Sequence, residues 1–178
     1  SYAIAHRIAH EFDAAGEDIP TILSVEAPLD GATLAELVVD PTKGFASAED
    51  GLLGTESGEL FFVRNPDGTV EYYGNKEGRA FGTGRDEEPQ FGELVAQLER
   101  AKEALDASGA EAADTIYMNF QQGQSDDKGS LGGQEYSDVL QDFLDRLEAE
   151  ASRIFEKPIE IEMFLAQTRS YGGDVAYE

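Results

Sequence analysis

His6 and His10 stand four residues apart in the run YAIAHRIAHEFDAA, and two imidazoles at i, i+4 on a helix can share one divalent metal. Zinc-dependent hydrolysis would need Glu directly after the first His. Here Arg7, Ile8 and Ala9 lie between the two, and Glu11 follows the second, so no general base is positioned. The metal reading therefore rests on His6 and His10 alone, beside the plainer one of two surface histidines on an amphipathic helix. Lys76, Arg79 and Arg85 fall within ten positions, interleaved with Gly74, Gly78, Gly82 and Gly84, in a chain with only 13 Lys and Arg. Glycine loops can aim backbone N–H groups at an anion, and Arg grips phosphate or carboxylate with two parallel bonds. GRAFGTGR lacks the Lys-Ser/Thr end of a phosphate-binding P-loop and does not match the dinucleotide fingerprint. This stretch is the first choice for an anion or partner contact; the plainer alternative is cations paired with acidic neighbours.

Other chemistries find less support. With no cysteine, thiolate zinc sites, iron–sulfur ligation, disulfide frameworks and cysteine nucleophiles are all excluded. No Gly-x-Ser-x-Gly elbow is present, and a Ser-His-Asp triad would have to draw on His6 or His10. Paired carboxylates could hydrolyse glycosides, but among 37 Asp and Glu no pair is singled out by its sequence. Asp126–Asp127 lacks the spacing of an EF-hand loop. No catalytic residue is assigned and no cofactor is expected. Phe61–Phe62 and Tyr72–Tyr73 read as core and cross-strand pairs rather than a stacking platform.

Those residues must be positioned by a chain of 178 residues with 37 acids against 13 bases, a formal net charge of −24 and a pI near 4.2. The acids are spread from Glu11 to Glu178 and interleaved with apolar positions, which describes a charged surface around a core rather than an acidic tail. Few lysines, many acids and many small residues together resemble the proteomes of salt-in halophiles, chiefly haloarchaea and their viruses. The physics agrees. A small domain at −24 repels itself in dilute salt, and at about 1 M salt the Debye length falls to about 3 Å, which screens the repulsion. Such a surface attracts K+ and Na+ and disfavours phosphate backbones, so nucleic acid is not expected as a partner. No run of about 18 apolar residues spans a bilayer, and no signal-peptide pattern is recognisable.

The periodicity predicts a helix over 2–15 ending at Gly16, short strands at Thr21–Glu26 and Leu34–Val39, and a loop arm over 41–58. Glu59–Val63 and Thr69–Tyr73 flank Asn65-Pro66-Asp67-Gly68, which is a hairpin signal. Phe91–Ala107 and Tyr136–Phe155 carry apolar residues at helical spacing, and each leads into a strand, Thr115–Phe120 and Ile159–Leu165. Between them lies a polar, glycine-rich arm over 121–134; a short tail runs from 169 to 178. Ile159, Ile161, Met163 and Leu165 alternate with Glu160 and Glu162, so one face of the last strand is wet. The expected fold is a single α+β domain over 1–178. It is a two-layer sandwich, with a mixed β-sheet, a central hairpin, two C-terminal helix–strand units and helices mainly on one face.

Function is then expected from surface rather than chemistry. The favoured expectation is a non-catalytic structural, assembly or interaction subunit from a halophilic source, in the cytoplasm or in a virion. A neck, tail-completion or capsid-associated component is the most concrete version. Its partners would be other protein subunits, in a homo- or hetero-oligomer. The alternative is a small enzyme or ligand-binding domain using the Lys76–Arg85 loop for an anionic small molecule.

Overall fold

The computed structural model describes residues 2–18, 33–39, 43–56, 58, 60–76, 90–120 and 131–165. The predicted strand at Thr21–Glu26 and the C-terminal tail lie outside them, as does most of the arm at 121–134. Chain order gives α1 (Tyr2–Ala15), α2 (Leu34–Val38), β1 (Phe45–Ala46), a 3-10 turn (Ala48–Asp50), β2 (Leu53–Gly54), β3 (Leu60–Arg64) and β4 (Val70–Asn75). There follow α3 (Gln90–Ser108), β5 (Thr115–Phe120), α4 (Gly133–Phe155) and β6 (Glu160–Leu165). The fold is α+β.

Among the described residues the strands form two sheets. The first has strand order β1-β4-β3-β2 and is mixed, with β1 parallel to β4 and the other pairs antiparallel. The second is the parallel pair β5-β6, running in register from Thr115 opposite Glu160 to Phe120 opposite Leu165. The hairpin β3–β4 forms where its turn residues demand it. Gly68 N–H donates to Asn65 O at 3.0 Å and Asn65 N–H to Thr69 O at 2.8 Å. Gly68 sits at φ +90°, a conformation that costs a side-chain-bearing residue dearly.

Leu34–Val39 is a correction. β-branched and leucine residues suggested a strand there, but Thr33 caps a helix over Leu34–Val38. Its Oγ1 accepts from Glu36 N–H at 3.2 Å, while the Glu36 carboxylate accepts from Thr33 N–H at 2.5 Å. This reciprocal box closes the first turn and outweighs the weak β propensity. Leu34, Ala35 and Val38 are buried as a result. The arm over 41–58 is likewise more ordered than its composition implies. It holds β1, β2 and the 3-10 turn, where the Asp50 carboxylate accepts from Ser47 N–H at 2.7 Å.

The core gathers on α4, whose Val139, Phe143, Leu147, Ala151 and Ile154 form the buried stripe that the spacing predicts. α3 adds Phe91, Leu98, Ala101 and Leu105, ending where Gly109 turns the chain at φ +70°. α2 and α3 both pack on α4, α2 reaches β4, and α4 reaches β6. Each sheet thus gives the helices one face: Leu60, Val70 and Tyr72 from the hairpin, and Phe120 and Ile161 from the parallel pair. α1 stands apart. Among the described residues, none from α1 belongs to this core or packs against it.

Candidate functional site

Three places bring polar or aromatic side chains together, and their geometry separates structural work from surface left available. The first lies where α4 meets the hairpin. Tyr72, 1% exposed, donates its hydroxyl to Asp142 Oδ2 at 2.5 Å. Arg64 approaches the same carboxylate oxygen at 3.6 Å. One turn along α4, Arg146 stacks over Phe91 with its guanidinium carbon 4.2 Å from the ring centroid, and lies 5.6 Å from that of Tyr72. Its Nη1 donates to Val38 O, satisfying a carbonyl at the end of α2. Burial, reinforced by the adjacent Asp142 carboxylate, pushes the Tyr72 phenol far above its ordinary range. A phenol held so firmly protonated offers no proton near neutral pH. This cluster ties β4, α2, α3 and α4 together.

The second is a cleft of about 650 Å³ lined by Asp114, Glu148, Lys157, Pro158, Ile159 and Glu160. Its charged groups are mostly engaged. Lys157 Nζ donates to Asp114 Oδ1 at 2.7 Å and to Ala112 O, and Glu148 Oε1 accepts from Ile161 N–H at 2.8 Å. These bonds fasten the start of β6 to α4 and to the strand beside it. The cleft is a seam between elements, with Asp114, Glu148 and Lys157 held by their neighbours.

The third is the outer face of β5–β6. Parallel register places Ile116, Met118 and Phe120 on the same side as Ile161, Met163 and Leu165, toward the helices at the start of the strands. The opposite face carries Thr115, Tyr117 and Asn119 beside Glu160, Glu162 and Phe164. Tyr117 is 67% exposed and Phe164 60%, with ring centroids 6.2 Å apart and tilted by 31°. Leu165, at the strand end, is 54% exposed. Parallel sheets are almost always covered on both faces, because their crossover connections bring helices to them. Here one face of a parallel pair displays two aromatic rings and two exposed carboxylates.

Tyr117 and Phe164 were not singled out by sequence reasoning. A signal for Phe164 existed: in IEIEMFL it falls in phase with Glu160 and Glu162, on the side assigned to water.

The sequence-based candidates are not brought together. His6 and His10 are exposed on α1, one turn apart, and among the described residues no group of three or more His, Asp or Glu could hold a metal ion. Lys76 is exposed at the end of β4, with its N–H on Ala46 O at 2.7 Å and its Nζ 3.8 Å from Asp50. Arg79 and Arg85 lie outside the described residues. The pairs Phe61–Phe62 and Tyr72–Tyr73 face each other across the hairpin, Phe62 opposite Tyr72 and Phe61 opposite Tyr73.

Cations elsewhere are also committed. Every described Lys and Arg meets a carboxylate or, for Arg146, a backbone carbonyl. Most of these pairs are exposed and individually weak. No protein-family model, curated protein or solved structure matches the chain.

Proposed function

We propose that this chain is a non-catalytic assembly subunit of a salt-in halophile or one of its viruses, engaging other protein subunits through the outer face of β5–β6. The observation that carries the reading is the exposed Tyr117–Phe164 pair on a parallel sheet, an arrangement that ordinarily has a cover. Aromatic residues are enriched in the cores of protein–protein interfaces and supply large contact areas at low entropic cost. The charge of −24 supports the saline setting, since association of such chains requires their mutual repulsion to be screened. A neck, tail-completion or capsid-associated component is the concrete form that suits a small α+β chain with glycine-rich arms.

The test is absolute mass by light scattering at about 3 M and about 0.1 M KCl, two regimes separated by screening. A discrete oligomer at high salt that dissociates or unfolds at low salt is expected. A compact monomer in both would overturn the assembly reading.

A further inference from the structure

Where α4 meets the hairpin, arginine is held by an aromatic ring together with a carboxylate. Arg64 lies over Phe62, 5.4 Å from the ring centroid, with its Nη1 3.6 Å from the Asp142 carboxylate. Arg146 stacks on Phe91 at 4.2 Å, one turn of α4 beyond the same Asp142. The outer face of β5–β6 repeats the rings and the carboxylates without a described cation. Glu162 stands opposite Tyr117 in the register, and the Phe164 ring lies 6.2 Å from that of Tyr117. Glu160, Glu162, Phe164 and Tyr117 are all exposed. Among the described residues, the Lys and Arg side chains are engaged elsewhere.

We propose that the outer face of β5–β6 receives an extended, arginine-bearing segment of a different protein. The inference rests on the assembly reading only in taking this face as the contact surface. Strand geometry sets the pattern of the occupant. Glu160, Glu162 and Phe164 follow one another at about 6.6 Å on one side of β6, so an extended segment lying along the strand matches them with basic, basic and apolar side chains at alternate positions. Arg suits the site better than Lys, because its planar fork meets a carboxylate with two bonds while its face stacks on a ring. The stacked part persists in molar salt, where charge attraction alone is screened. The face meeting its own image would set Glu160 and Glu162 against themselves. The sequence also argues against a second copy as the source. Its one pair of basic residues at alternate positions, Arg100 and Lys102, lies on α3, where the helical turn sends such neighbours to different sides.

Fluorescence anisotropy of a short dye-labelled peptide reading Arg-Thr-Arg-Thr-Phe tests the pairing at about 0.5 M and about 3 M KCl, where diffuse attraction to a chain at −24 is progressively screened. Saturable binding is expected at both salts. It should be about tenfold tighter than for a Lys-Thr-Lys-Thr-Phe peptide, or for the same residues rearranged as Arg-Arg-Thr-Thr-Phe. Tyr117→Ser with Phe164→Ser, and separately Glu160→Gln with Glu162→Gln, should each weaken it about tenfold, with the fold checked by circular dichroism. Glu49→Gln with Glu103→Gln removes the same charge from exposed positions elsewhere and should leave binding unchanged.

No saturable binding, or binding that ignores the sheet variants, would overturn the proposal. So would an equal loss in Glu49→Gln with Glu103→Gln, since the cations would then answer to the acidic surface at large. Equal affinity for the lysine or the rearranged peptide would overturn it as well. Binding that appears only after residues 166–178 are deleted would put this chain's own segment on the face, against the proposal. A wild-type oligomer that Tyr117→Ser with Phe164→Ser dissociates, while the peptide fails to bind, would place a second copy there; the docking proposal then falls and the assembly reading stands. Site-dependent peptide binding by a chain that stays monomeric in the scattering test would do the reverse.

Discussion

On the hairpin side of the helices, Tyr72 is buried, its hydroxyl is held by Asp142, and Arg146 stacks between aromatic rings while closing the end of α2. On the parallel side, Tyr117 and Phe164 lie outside the core, touching one another and water. Both regions are aromatic, and both are built on paired strands that lean on α4 or on the α2 beside it. They differ in what holds the rings. In the first, Asp142 and Arg146 of α4 reach the Tyr72 ring and Arg146 also stacks on Phe91, which fixes one packing. In the second, backbone ladders hold the strands and the side chains of the outer face remain uncommitted. An aromatic ring at a strand position is therefore informative only with its partners: Tyr72, enclosed and hydrogen-bonded, is scaffold, while Tyr117 and Phe164 lie exposed beside Glu160 and Glu162.

The contrast can be broken most severely at Phe143, 1% exposed, whose ring lies 6.0 Å from that of Phe91 and 5.8 Å from that of Phe120. Phe143→Ala is expected to cost about 3–5 kcal/mol, because it empties the point where α3, α4 and β5 meet. Urea unfolding in concentrated KCl would measure it. Arg146→Ala comes next, at about 2 kcal/mol, since it removes the stacked cation and leaves the Val38 carbonyl without its donor. Thr33→Ala should cost about 1 kcal/mol through the cap of α2. Smallest is Tyr117→Ser with Phe164→Ser, within about 0.5 kcal/mol per site for the isolated chain. A loss of several kcal/mol there would show that the parallel face is scaffold after all and erase the contrast.

Acid sharpens the comparison from another direction. Backbone and hydroxyl bonds from Ser47 hold the Asp50 carboxyl below its ordinary value, those from Thr69 do the same for Asp67, and Lys43 does so for Glu71. Carboxyls depressed in the fold contribute stability that is present above the unfolded value, near 4, and is lost as pH falls through the folded one. The remaining acids act oppositely in dilute salt, because protonation relieves the repulsion of a chain at −24. At about 0.1 M KCl, where screening is partial, thermal stability should rise from pH 7 toward the pI near 4.2 and fall below it. In molar salt only the fall should remain. At the other extreme, the raised Tyr72 phenol contributes stability that is complete below about pH 10, the unfolded value, and is lost above it.

Much of this architecture is legible in the sequence. The 3.6-residue periodicity of α3 and α4, the Asn-Pro-Asp-Gly turn and the alternation of Ile159 to Met163 are local signals, and local signals survive folding. α2 was misread because five residues are too few for periodicity to speak, and its deciding information was the Thr33–Glu36 box. The separation of the strands into two sheets, and the triangle of Tyr72, Asp142 and Arg146, depend on contacts between residues some seventy positions apart. Composition carries no trace of these. Of the sequence candidates, Lys76 is paired with Asp50 and the two histidines share a helix face without a third ligand among the described residues. The face carrying Tyr117 and Phe164 needed register, which fixes what two distant strands present together.

That register has a kinetic consequence. Thr115 pairs with Glu160 across a stretch of chain that includes the whole of α4, whereas Val70 meets Arg64 across a tight turn. Loop closure favours the near pairing, so the hairpin zips early and the parallel ladder is a late event on the route to the native state. Pulse-labelled hydrogen exchange should protect the amides of β3 and β4 before those of β5 and β6. The outer face of β5–β6, with Tyr117 and Phe164 side by side, thereby takes shape only when the chain has nearly finished folding.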